Sequence, residues 1–150
     1  MEQSGEYRIE SPAEAVWAAL NDPDVLARCI AGCQSMEKVS QSEFRAKVKA
    51  KVGPVSASFD AELTLSDVDP PHAYTVSGRV KGGPAGFGRG SARVELAPDA
   101  GGTILRYHVQ GSVGGKLAQI GSRLVDGSAR KLAEDFFAAF AEIAVEPQPR

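Results

Sequence analysis

Little in this chain points to covalent or metal chemistry. Its 150 residues include two cysteines and two histidines. Cys29 and Cys33 stand four apart, which is no disulfide framework, and His72 and His108 lie too far away in sequence to complete a metal site with them. The cysteines read as free thiols of a reducing compartment. An excess of one charge is missing too. Seventeen basic and nineteen acidic residues leave a net charge of −2, so nothing draws the chain toward nucleic acid. No apolar run approaches the 18 or so residues of a membrane span. The opening MEQSGEYRIE has no basic segment followed by an apolar one, so no signal peptide is expected and the cytoplasm is the default compartment. What is present, 43% apolar and 24% charged, is the composition of one soluble domain. A chain of this length buries roughly 68–70% of its unfolded surface. The expected domain is 1–146, with a short tail at 147–150.

The chain is organised around a long terminal helix expected over Gly114 to Val145. Leu117, Ile120, Leu124, Ser128, Leu132, Phe136, Phe140 and Ile143 recur at steps of three and four, which is one helical face. The slow drift of that stripe predicts a bend. Gly114, Gly115, Gly121 and Gly127 are costly in a helix interior, about 1 kcal/mol each against Ala. They suit close packing on a sheet, or room for a ligand.

Upstream, Gly5 to Glu10 reads as a short strand. Ser11-Pro12-Ala13-Glu14 then reads as a capping box with Pro at the first helical position. Asp22-Pro23-Asp24 opens a second short helix that Gly32 can end. From Gln34 the period is two. Phe44 to Val52 and Val55 to Leu65 fit a hairpin turning at Gly53-Pro54. The register places Val48 opposite Phe59, Lys47 opposite Asp60 and Arg45 opposite Glu62, so both faces agree. Three more strands follow, around Tyr74 to Val80, Ala92 to Leu96 and Leu105 to Val109. Two features tempt toward phosphate binding. The stripe Arg45, Lys47, Lys49, Lys51 is half neutralised by its cross-strand partners and reads as a solvated face, with an acidic or membrane partner as the alternative. Gly86-Phe87-Gly88-Arg89-Gly90 lies between strands and opens no helix, so it reads as a bend or bulge.

Strand, two short helices, six strands in hairpin order and a long helix make an α+β fold: an antiparallel sheet of about seven strands curled around the terminal helix. Small residues at Ala57, Ala61, Gly78, Gly90, Ala92 and Gly121 alternate with large ones, so the side chains cannot fill such a sheet to normal density. The expectation is an apolar cavity between helix and sheet. Its walls would include Phe59, Leu63, Tyr74, Val76 and Tyr107 from the sheet. Val109, Leu117, Ile120, Gly121 and Leu124 would complete it. The Tyr74 and Tyr107 hydroxyls would supply its polar contacts. On strand parity nearly every charged side chain points outward, so no catalytic residue, metal or cofactor is expected. Two other readings stay open: an interaction or maturation module with a filled core, and a cyclase- or hydrolase-like enzyme.

Three stretches carry a family resemblance. Asp22-Pro23-Asp24-Val25-Leu26-Ala27-Arg28-Cys29-Ile30-Ala31-Gly32-Cys33 looks like a DPEVLxxCIPGC motif, with Ala31 in the place of its proline. Val52-Gly53-Pro54-Val55 precedes an alternating strand that ends in Asp69-Pro70-Pro71. Gly114 to Leu124 opens the last helix. Together they resemble the family of the G-subunit of carbon monoxide dehydrogenase, within the helix-grip superfamily that includes START domains, birch-pollen allergens and polyketide cyclases. The resemblance implies a helix-grip fold and an accessory role beside a molybdenum-hydroxylase-type dehydrogenase. It also implies an apolar ligand between helix and sheet, which the Tyr74 and Tyr107 hydroxyls would suit to a quinone- or lipid-like molecule with a carbonyl or hydroxyl head, and leaves peripheral contact with the inner face of the membrane open. Some members carry a C-terminal extension associated with membrane attachment. This chain reads Val145-Glu146-Pro147-Gln148-Pro149-Arg150 there, and no such anchor is expected.

Overall fold

The computed structural model describes residues 1–144. The tail expected at 147–150 lies outside the described residues. Seven antiparallel strands form one curved, unclosed sheet: β1 (Glu2–Ile9), β2 (Cys33–Ser40), β3 (Glu43–Val52), β4 (Val55–Asp69), β5 (Ala73–Lys81), β6 (Phe87–Asp99) and β7 (Gly102–Gly114). Their spatial order is β1-β7-β6-β5-β4-β3-β2. Short helices α1 (Ala13–Leu20) and α2 (Pro23–Cys29) follow β1, and α3 (Lys116–Gln119) and α4 (Ser122–Ala144) follow β7. This is the expected α+β helix-grip arrangement.

The β3–β4 hairpin has the register that alternation predicts. Val52 pairs with Val55, Val48 with Phe59 and Lys47 with Asp60. Gly53 takes a φ of +58°, which a residue with a side chain would resist. Lys47 is exposed on the outer face and reaches Asp60 at 3.9 Å. Glu62 lies opposite Arg45 but forms its ion pair with Arg79 on the other side, at 3.6 Å. Exposed pairs of this kind add at most about 1 kcal/mol each.

The long helix departs from its expected form. β7 continues to Gly114, one helical turn follows, and the chain breaks at Gly121, where φ is +96°. A left-handed residue cannot continue a right-handed helix, so α4 starts afresh at Ser122 with a new phase. The apolar face therefore rotates. Leu124 and Leu132, placed on the stripe by spacing, are 48% and 49% exposed. Phe140 and Ile143 are buried as the stripe expects, and they are joined by Val125, Phe137 and Ala144, which the stripe leaves out.

The first helix also starts differently. Ser11 does not cap it: Pro12 stands at the N-cap with no side-chain bond. Ser11 is buried, and its carbonyl accepts a 2.7 Å bond from Thr103 Oγ1, tying the start of α1 to β7. α2 is capped as read, with Asp22 Oδ1 accepting from the Asp24 amide at 2.9 Å. Cys29 ends α2 inside the core, whereas Cys33 begins β2, so the two are not one helical turn apart.

The core is in two pieces. The larger joins Ile9, Val16, Leu20, Leu96 and Leu105 to the C-terminal half of α4 through Phe137, Phe140 and Ile143. Each large apolar side chain so buried contributes roughly 1.5–3 kcal/mol. Phe137 stacks between Tyr7 and Tyr107, at 4.7 and 4.9 Å. The smaller piece sits at the opposite end of the strands, where Val55, Phe59, Ala85 and Leu117 pack under α3.

Candidate functional site

Between the two core clusters the inner face of the sheet is floored by a row of glycines. The ladders place Leu63 opposite Gly78, Gly78 opposite Gly90, and Gly90 opposite Gly111. The register of these β5–β6 and β6–β7 ladders is unbroken, so the glycines mark no bulge there. At Gly90 the backbones approach so closely that a Cβ would stand 2.5 Å from the Gln110 carbonyl oxygen. The adjacent row on the side of the larger cluster, Leu65, Val76, Ala92 and Val109, is apolar and only half-buried.

The helix above is equally sparse. From Ser122 to Ala133, the positions that share the phase of Phe140 are Ser122, Val125, Asp126, Ala129 and Ala133. Beyond them the same face carries Phe136, Phe137, Phe140 and Ile143. Large side chains thus wedge the back half of α4 onto the core, and small ones leave its front half above the glycine row. The gap is a cavity of about 540 Å³, walled by Leu63, Val76, Val80, Val109, Val113 and Val125 among others. This volume lies within the range of small-molecule sites, about 300–1,000 Å³.

The expected site residues divide among four places. Leu63, Val76, Val109 and Gly121 line the cavity. Phe59, Leu117 and Ile120 belong to the smaller core cluster at one end of it. Tyr74 and Tyr107 point inward but lie in or against the larger cluster at the other end. Tyr74 is 6% exposed, packs edge-on to Trp17, and has its phenol pKa pushed up by burial. Neither tyrosine lines the cavity, so neither hydroxyl supplies its polar contacts. Leu124 leans instead toward the hairpin tip, where a Cβ on Gly53 would meet its Cδ1 at 3.3 Å.

Sequence reasoning missed the groups on the helix side, Ser122 and Asp126, which both line the cavity. Counting positions from Ser122 rather than from Gly114 would have found them. It also missed two outer-face features. A polar hollow of about 570 Å³ lies behind the glycine row, edged by Arg79 and Arg89. Ser4 Oγ lies 2.6 Å from His108 Nδ1, and His108 Nε2 lies 3.3 Å from Glu2. The Ser4–His108–Glu2 cluster lies on the outer strand face, while the hollow shares Gly78, Gly90 and Gly111 with the floor of the apolar cavity. Among the described residues, no cluster of three or more side chains could hold a metal ion, and no helix is long and apolar enough to cross a membrane.

Comparison with known proteins bears on this arrangement. The profile of the CoxG family, described as the G-subunit of carbon monoxide dehydrogenase, matches residues 5–145. No curated protein matches the chain. A conserved protein from Geobacillus kaustophilus is 32% identical, superposes with a TM-score of 0.88, and is matched over 96% of this chain and 95% of its own. A protein from Chromobacterium violaceum (TM-score 0.75, 16% identity, 98% of both chains) shares the fold. So does Ara h 8.0201, with a TM-score of 0.67, 13% identity and 97% of both chains. With a profile match that takes in both core clusters and the cavity between them, this chain belongs to the CoxG family of carbon monoxide dehydrogenase.

Proposed function

We propose that the protein is a non-catalytic accessory protein that holds an apolar, quinone- or lipid-like molecule in the cavity under the front half of α4. In this reading it serves a molybdenum-hydroxylase-type dehydrogenase from the cytoplasm, with peripheral contact at the inner face of the membrane. The observation that carries the ligand is the divided core: apolar walls on both sides, a glycine floor, and a small-residue helix face above. The link to a dehydrogenase rests on the family's name. Support for a non-catalytic role comes from orientation, since the charged strand residues Arg45, Lys47, Asp60, Glu62 and Arg79 are all exposed on the outer face. In the proposed site Leu63, Val76, Val109 and Gly121 touch the ligand, and Phe59, Leu117 and Ile120 close one end. Leu124 stands at the rim, and Tyr74 and Tyr107 buttress the far end.

The test is to fill the cavity. Gly121 is the wrong place, because its φ of +96° strains any side chain. Ala92 is better: it is half-buried between Val76 and Val109. Ala92→Phe should leave the melting temperature within a few degrees and weaken binding of the neutral dye Nile red at least tenfold. Native mass spectrometry of protein from its own host should show a bound mass that Ala92→Phe loses. If the variant binds the dye as the parent does, the carrier reading fails and an interaction module with no ligand replaces it.

A further inference from the structure

The cavity's edge takes in Arg89, Ser91, Gln110 and Ser112 from the strands, all of them exposed; on the helix side its polar residues are Ser122 and Asp126. Asp126 lies one turn after Ser122 on the face of α4 that looks toward the glycine row, and both residues line the cavity. Asp126 is half-buried. Among the described residues, no side chain donates to its carboxylate and no cation lies within ion-pair distance. Its backbone carbonyl, by contrast, is fixed, accepting a 3.0 Å bond from Gln3 Nε2 on β1. That bond ties the second turn of α4, where Asp126 lines the cavity, to the edge strand. An ionised carboxylate is an acceptor only. Facing apolar walls with no donor of its own, it favours a ligand that brings one.

Resting on the ligand-carrier reading above, we propose that Asp126 selects the head group of the bound molecule. The occupant is an apolar molecule whose head donates a hydrogen bond, a hydroxyl or an ammonium, in preference to one whose head only accepts. For a quinone-like ligand this means the hydroxyl-bearing reduced form rather than the carbonyl form. Ser122, at the rim, supplies a hydroxyl that can accept from or donate to the same head.

The experiment uses the full chain, Nile red as reporter, and four competitors sharing a twelve-carbon tail, each below its aggregation concentration. Dodecylamine and dodecanol carry donor heads, methyl laurate an acceptor head, and laurate an anion. The expected order places the donor heads about tenfold ahead of the ester, with laurate last. Asp126→Asn should shrink the gap between donors and ester to within about twofold. Asp135→Asn makes the same charge change on the exposed side of α4, where Asp135 bonds Lys131, and should leave the order as it was. If dodecylamine alone loses its advantage in Asp126→Asn, the head is a cation; if dodecanol does as well, the shared chemistry is the donor. Equal competition by the ester, a preference for laurate, or an order unmoved by Asp126→Asn overturns the proposal while leaving the cavity reading intact. Failure of the parent to bind Nile red overturns the cavity reading itself.

Discussion

The same one-carbon change should have opposite effects at two glycines. At Gly90 an added Cβ would stand 2.5 Å from the Gln110 carbonyl oxygen and 3.1 Å from Gly111 Cα. Both are backbone atoms, held by the β6–β7 ladder, and neither can move aside as a side chain would. Overpacking costs typically about 1–3 kcal/mol, and with backbone on both sides Gly90→Ala should reach ~3 kcal/mol. At Gly127, inside α4, a Cβ meets nothing within 4 Å. Gly127→Ala should therefore gain the helix-propensity difference of about 1 kcal/mol. For a domain of this size 1 kcal/mol moves the melting temperature by about 2–4 °C. Thermal unfolding followed by circular dichroism should thus place Gly127→Ala about 2–4 °C above the parent and Gly90→Ala about 6–12 °C below it. Gly78→Ala should fall between, because its Cβ meets a movable methyl, Leu63 Cδ2, at 2.9 Å. A Gly90→Ala protein that melts with the parent would refute the close backbone approach, and with it the account of the cavity floor.

Thr103→Val removes the donor from a fully buried 2.7 Å bond and leaves the Ser11 carbonyl without a partner. It should destabilise by about 1–3 kcal/mol, read from urea midpoints with an unchanged slope. Burial pushes the Cys29 thiol up from 9.0 to about 11. The folded state therefore holds that proton more tightly than the unfolded chain does. Its contribution to stability is complete below about pH 9, falls as the pH climbs toward 11, and is absent from Cys29→Ala, so the two proteins' stability curves should converge across that window. In the native protein at pH 8, a thiol reagent should modify the half-buried Cys33 first, with Cys29 following only as fast as α2 opens.

The parts of this structure that could be read from sequence were those where two independent patterns had to agree. In β3 and β4 the apolar face and the charged face each demand one register, and it is the one found. The phase of α4 had no such check. Gly121 cuts Leu117 and Ile120 off from α4, and within α4 each step of four turns the stripe by about 40°, so Leu124 ends about 160° away from the buried Phe140. Strand parity correctly turned Tyr74 and Tyr107 inward. Parity does not say how far along a strand a side chain sits, and both fall beside the large core cluster rather than over the glycine row. The row itself was hidden because Gly78, Gly90 and Gly111 are scattered in the chain and become neighbours only through two further ladders.

The place of β1 in the sheet also has a consequence in time. Five of the six strand junctions join strands that follow one another in the chain, so each can zip as soon as it is made. The sixth sets β1 against β7, with Glu2 opposite Gln110. Closing a loop of roughly a hundred residues costs about 3 kcal/mol more in chain entropy than closing a tight hairpin. Of these seven strands the one made earliest, β1, is therefore the last to pair, and α1 waits with it. Ile9, Val16 and Leu20, buried in the finished protein, stay uncovered while the intervening residues are being made. The interval in which the nascent chain is most prone to aggregate is thus set by topology rather than by overall hydrophobicity.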